Sequence, residues 1–111
     1  MKLTRRAKYG NRKVTFEGQT FDSKKEFARW VMLSVMERDG LIRDLTRPKA
    51  MPLTVNGKVV CRYTPDFSYF DTSSGRVEYE DVKSEATRKN RAYRIKYKLF
   101  EAIYGQTIRE T

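Results

Sequence analysis

Histidine is missing from the 111 residues altogether, and that absence excludes a broad range of chemistry. Ser-His and Cys-His triads, His-ligated zinc hydrolases and HNH-type nucleases all need an imidazole base or ligand, so none of them is available. Cysteine occurs once, at Cys61. One thiol makes no internal disulfide, and without a second sulfur or a histidine it makes no zinc site, so Cys61 reads as a packing residue of a strand. A Gly-rich phosphate loop is also lacking, which leaves P-loop nucleotide hydrolysis without support. No apolar run approaches the roughly 18 residues of a membrane span. The basic residues 1–13 are not followed by the apolar stretch of a secretory signal. A cytoplasmic protein outside the membrane is expected.

Acids are scarce too: 14 Asp and Glu stand against 24 Lys and Arg, a net charge of +10. Such an imbalance attracts polyanions, nucleic acid above all. The cations are clustered. Lys2, Arg5, Arg6, Lys8, Arg12 and Lys13 open the chain with no acid among them, and Arg88, Lys89, Arg91, Arg94, Lys96 and Lys98 crowd a later segment. A chain of this length holds one modest core. The expected organisation is a basic arm over residues 1–13 and a single domain over 14–111.

Val14-Thr15-Phe16 and Thr20-Phe21 flank Glu17-Gly18-Gln19, the pattern of a short hairpin turning at the glycine. Ser23 and Glu26 then fit a capping box, the serine capping a helix start and the glutamate reaching back to it. Phe27, Trp30, Val31, Met32, Leu33, Val35 and Met36 place apolar groups around much of this helix, so a deeply buried one is expected, ending at Asp39-Gly40. Residues 41–49 read as a connection, because Pro48 and Pro52 discourage a helix. Residues 53–55 and 58–61 flank Asn56-Gly57, a strong hairpin signal since both residues tolerate positive φ. Strands over 66–70 and 76–83 follow, completing an antiparallel meander. From about Thr87, Ala92, Ile95, Leu99 and Ala102 or Ile103 recur at helical spacing until Gly105, and Thr107-Ile108-Arg109 suits a closing edge strand. The reading is α+β: an N-terminal hairpin, then a core of helix, three-strand meander, helix and strand.

Asp81 and Lys83 stand two apart on a predicted strand, so their side chains leave the same face. Asp66 begins the preceding strand, and an antiparallel connection of this length can bring its carboxylate beside Asp81. Two carboxylates and an ammonium then meet in a chain whose charge points to a polyanion. Phosphodiester hydrolysis needs charge stabilisation and a nucleophilic water, and an oxygen-ligated Mg²⁺ supplies both. Asp66, Asp81 and the backbone carbonyl of Val82 are the natural ligands, with Lys83 serving the water or the developing charge. The plain alternative is a surface salt bridge between Asp81 and Lys83.

Tyr63-Thr64-Pro65-Asp66-Phe67, followed after a turn by Tyr79-Glu80-Asp81-Val82-Lys83, resembles the bipartite signature of the PD-(D/E)XK nuclease superfamily. The resemblance implies a restriction-endonuclease-like domain. Asp66 and Asp81 match the metal-binding acids and Lys83 the catalytic lysine, with Mg²⁺ as cofactor and Mn²⁺ as a substitute. The run Phe21-Asp22-Ser23-Lys24-Lys25-Glu26 is similar to the first helix of small phage-encoded members, where an acid joins the metal site. Glu26 therefore takes two readings, capping residue or catalytic and metal-binding acid. The middle acid of the superfamily is more often Glu, so Glu80, beside Asp81 but facing the other way, would exchange roles with it on a shift of register.

The resemblance implies a DNA endonuclease of phage recombination or Holliday-junction-resolving type; a non-catalytic basic DNA-binding protein is the alternative. Arg5, Arg6, Lys8, Arg12 and Lys13 of the arm, with Arg88, Arg91, Arg94 and Lys98 of the late helix, are the expected DNA contacts. Tyr9, Tyr93 and Tyr97 offer stacking for unpaired bases or packing for the core. A site of this kind cuts one strand, so a homodimer acting on branched DNA is expected. Its candidate interface residues are Tyr97, Phe100 and Tyr104 and the hairpin near Phe16.

Overall fold

The computed structural model describes residues 13–111, the side chain of Glu85 excepted. The chain opens with a hairpin, β1 (Val14–Phe16) and β2 (Gln19–Phe21). Its turn uses Glu17 at φ 50° and Gly18 at φ 80°, the positive-φ pair that suits the strand twist. Helix α1 (Lys24–Arg38) follows, with the Ser23 hydroxyl accepting the Glu26 N–H at 3.1 Å. The helix stops at Asp39, and Gly40 turns the chain away at φ 82°.

The segment expected to be a connection contains a strand. β3 (Ile42–Thr46) pairs antiparallel with β6 (Phe67–Asp71), with an irregularity between Arg43 and Thr46 where Asp44 takes φ 57°. Between them lie β4 (Met51–Val55) and β5 (Lys58–Tyr63), turning at Asn56-Gly57 as expected but forming a two-stranded sheet of their own. The main sheet has the order β3-β6-β7-β8, with β7 (Arg76–Asp81) antiparallel to β6 and parallel to β8 (Ile108–Glu110). A parallel pair requires a crossover, supplied by α2 (Glu85–Lys89) and α3 (Arg91–Tyr104). The late helix is thus two helices. Asn90 breaks it and caps α3 by accepting the Tyr93 N–H at 3.0 Å.

The domain is α+β. The order helix, three antiparallel strands, helix, strand is realised by α1, β3, β6, β7, α3 and β8. Residues 53–61 therefore leave the meander and residues 42–46 enter it.

Strand alternation divides the core. Phe67 and Tyr69 of β6 join Phe21, Leu33 and Ile42 under α1. On the opposite face Ile108 joins Leu53, Tyr63, Tyr93 and Phe100, and Tyr79 of β7 meets Phe100 edge-on at 5.3 Å. Helix α1 is less buried than its composition suggests: Val31, Met32 and Val35 are exposed, because the sheet covers only one stripe of it. Phe100 is fully buried and so belongs to the core, and the half-buried Tyr104 packs beside it with its hydroxyl donating to the Pro52 carbonyl at 2.7 Å. Phe16 remains half exposed. Among the described residues no helix is long and apolar enough to cross a membrane.

Candidate active site

Asp66 stands just before β6 and Asp81 ends β7, and the register Phe67↔Glu80 sets these strand ends side by side. Their backbones and carboxylates interlock. The Asp66 N–H donates to Asp81 Oδ1 at 2.9 Å, and the Val82 N–H donates to Asp66 Oδ2 at 2.7 Å. The Asp66 N–H is shared between Asp81 Oδ1 and the Glu80 carbonyl at 3.0 Å, while the Val82 N–H goes to Asp66, which fixes both acids without their needing a helix or a long loop.

Asp81 faces the α3 side and is 0% exposed. Its second oxygen, Oδ2, is buried and has no hydrogen-bond partner; among the described residues only the Tyr63 hydroxyl shares that condition. The nearest cation is Lys83 Nζ at 3.8 Å. Strand β7 stops at Asp81, so Lys83 lies just past it, yet its side chain stays on the Asp81 side. Its ammonium sits 5.0 Å from the centroid of the Tyr93 ring, a cation–π contact, and its backbone N–H donates to the Thr111 carbonyl at 3.3 Å. Burial pushes the Asp81 carboxyl up to about 6 despite the opposing pull of Lys83. Burial also raises Asp66, against the Val82 N–H and the Lys83 charge. Lys83 therefore acts on both aspartates, and the three groups expected to meet do meet.

Glu26 approaches from the first turn of α1 and is buried, with 5% exposure. Its Oε1 accepts the Asp22 N–H at 2.9 Å, and its Oε2 lies 3.5 Å from an Arg47 nitrogen. The capping box is altered accordingly: the glutamate reaches the residue before the serine, not the serine itself. Burial, then the charge of Asp66, raises its carboxyl. Glu26 thus feels the charge of Asp66, but among the described residues no three His, Cys, Asp or Glu side chains are arranged as a cage for an ion.

Two cations of this region escaped the sequence reading. Arg47 lies over the Phe21 ring at 4.1 Å and donates to the Thr20 carbonyl at 2.8 Å, and Lys25 Nζ donates to the Lys83 carbonyl at 3.3 Å. Pairings across such sequence distances leave no local pattern to read.

Glu80, the candidate for an exchanged role, points to the α1 side. It is 0% exposed and bridged by Arg29 through two bonds of 2.8 and 2.7 Å, while the Tyr69 hydroxyl donates to the same carboxylate. Every strong partner of Glu80 is on the face away from Lys83, so it anchors α1 to β7 and stays apart from the Asp66, Asp81 and Lys83 cluster.

Arg5, Arg6, Lys8 and Arg12, and also Tyr9, lie outside the described residues. Lys13 pairs with Asp22 at 2.9 Å. Arg88 reaches Glu110 at 3.9 Å, and Arg91, Arg94 and Lys98 are exposed on α3. Tyr93 is buried, its hydroxyl donating to Glu110 at 2.6 Å, and Tyr97 is half-buried, donating to the Ile108 carbonyl at 3.0 Å.

Among known proteins, the model of a family described as "Protein of unknown function (DUF1064)" matches residues 6–110. No curated protein and no solved structure matches the chain.

Proposed function

We propose that this chain, which belongs to the DUF1064 family, is a metal-dependent DNA endonuclease centred on Asp66, Asp81 and Lys83. The observation that carries this reading is the buried, unpartnered Oδ2 of Asp81 beside the Lys83 ammonium, at a strand end shared with Asp66. Leaving a buried carboxylate oxygen unsatisfied destabilises a fold by about 1–3 kcal/mol, and such groups concentrate where a site needs them.

The donor set fits a hard divalent cation. Asp66 and Asp81 present carboxylate oxygens and Val82 a backbone carbonyl, the oxygen ligands that Mg²⁺ or Mn²⁺ takes. When bound, such an ion supplies charge stabilisation for the phosphate and a water of lowered pKa. Glu26, which feels the charge of Asp66, is a further candidate ligand that would have to leave its bonds to Asp22 and Arg47 to reach a cation.

The chain's own residues do the rest. Lys83, steadied by the Tyr93 ring, places a positive charge where the attacking water or the developing phosphate charge needs it. Arg47 and Lys25 add positive charge nearby, and Arg88, Arg91, Arg94 and Lys98 lead the phosphate backbone toward the site.

The substrate favoured by this reading is branched DNA cut by a homodimer, as in phage recombination or Holliday-junction resolution. The alternative, a non-catalytic DNA-binding protein, has one observation in its favour: both aspartates already accept backbone N–H groups and so have a structural use.

A cleavage assay on linear duplex, single strand, flap and four-way junction, with Mg²⁺, Mn²⁺ or chelator, separates the two. Metal-dependent cutting is expected, abolished by Asp66→Ala, Asp81→Ala or Lys83→Ala while DNA binding persists. No cutting of any substrate with either metal would refute the nuclease. Light scattering with and without a junction tests the dimer, and a monomer that still makes paired symmetric cuts would refute it.

A further inference from the structure

Between α3 and β8 lies a hollow of about 230 Å³ that Tyr93 helps to line. Tyr93 and Tyr97 form its aromatic wall, and Arg88, Arg94 and Lys98 supply its cations. Tyr93 is common to both places, lining the hollow while holding the Lys83 ammonium 5.0 Å from its ring centroid. The hollow therefore adjoins the candidate site. Tyr97 is fixed by its bond to the Ile108 carbonyl, and Arg88 is tethered to Glu110 and to the Thr111 carbonyl at 3.4 Å. Arg94 and Lys98 are exposed and form no ion pair among the described residues.

Size and charge select the occupant. Complete small-molecule sites run to roughly 300–1,000 Å³, so this hollow suits one nucleotide unit better than a free ligand. Glu110 holds Arg88 and Glu101 shares the lining, which makes the interior a poor trap for a bare phosphate. The aromatic wall decides for a base, with the flanking phosphates on Arg94 and Lys98. A base paired inside a duplex cannot leave its stack to enter without unpairing. We infer that the hollow seats one unpaired nucleotide of the bound strand, beside the scissile phosphate. The protein thereby selects DNA that is single-stranded at that position, such as a flap or an open branch, over continuous duplex. The placement beside the scissile phosphate rests on the nuclease reading; the seat itself does not.

The test measures binding in chelator, so that it needs no cleavage. A duplex with a single-stranded extension is titrated against the protein by fluorescence anisotropy, with one abasic site walked along the extension. Base stacking on an aromatic contributes a factor of roughly 5 to 150 in affinity. One abasic position should therefore weaken binding by at least about 5-fold while its neighbours do not.

Tyr97→Leu should lose the same factor and with it the positional dependence, whereas Tyr97→Phe, which keeps the ring, should retain both. Arg94→Ala with Lys98→Ala, both exposed, should weaken the extended DNA more than continuous duplex. A flat abasic profile in the unaltered protein overturns the seat whatever the variants do. Equal weakening of all DNA forms by the Arg94 and Lys98 changes also overturns it, in favour of a general phosphate surface. A protein with the abasic step that cuts nothing keeps the seat and loses the nuclease; one that cuts without the step loses the seat alone.

Discussion

Replacing Asp81 by asparagine is expected to stabilise the fold while abolishing the proposed cleavage. The carboxyl is fully buried, one oxygen lacks a partner, and burial moves it from the ordinary 3.8 up to about 6. The folded protein therefore holds this proton more tightly than the unfolded chain does. Stability is fully present below pH 4, falls as pH rises through about 6, and above that carries the whole penalty of the buried charge. A shift of about two pKa units corresponds to about 3 kcal/mol.

Asparagine keeps an acceptor for the Asp66 N–H and carries no charge. It brings amide hydrogens in need of a partner, an offset of about 1–2 kcal/mol. The net gain at pH 7 is about 1–2 kcal/mol, a rise in Tm on the order of 5–10 °C for a domain of this size. Urea or thermal unfolding from pH 4 to 8 in chelator reads it, and the decline between pH 4 and 6 should be shallower in the variant. Added Mg²⁺ should stabilise the parent protein and leave Asp81→Asn unmoved. A variant at least 1 kcal/mol less stable than the parent at pH 7 would refute the reasoning, since Asp81 would then be serving the fold.

Glu26→Gln preserves an acceptor for the Asp22 N–H, so stability should change by no more than about 1 kcal/mol while cleavage falls at least tenfold; unchanged cleavage would leave Glu26 a helix-capping residue only. Arg29→Met strands the buried Glu80 carboxylate and should destabilise by about 3–5 kcal/mol in urea unfolding, with the cleavage rate per folded molecule unaltered. Substituting Arg91, Arg94 and Lys98 together should reduce the slope of log affinity against log salt by roughly 2 to 3; an unchanged slope would place the DNA surface elsewhere.

Both hairpins could be read from the chain because their turns need residues that accept positive φ, and Glu17-Gly18 and Asn56-Gly57 take that conformation. Which sheet a hairpin joins has no local signature, and so β4 and β5 were expected in the meander. Strand β3 was hidden by its own irregularity. The break at Asp44 puts the inward residues Ile42 and Leu45 three apart, a spacing that alternation does not produce. Asp66, Asp81 and Lys83 could be found because two of them share a strand end and the third follows a proline that opens the adjoining strand. Arg47 could not, since its partners Thr20, Phe21 and Glu26 become its neighbours only once α1 packs on the sheet.

The pairing of β8 with β7 also fixes when the site comes into being. Thr111 takes the Asp81 carbonyl through its N–H at 2.9 Å and receives the Lys83 N–H, while Glu110 secures the Tyr93 hydroxyl. A ribosome that has released the chain through α3 has already presented Glu26, Asp66, Asp81 and Lys83, but not the strand that pins the last two. In order of synthesis β8 follows every one of these groups. The arrangement of Asp81 and Lys83 therefore waits until residues 108–111 have found β7.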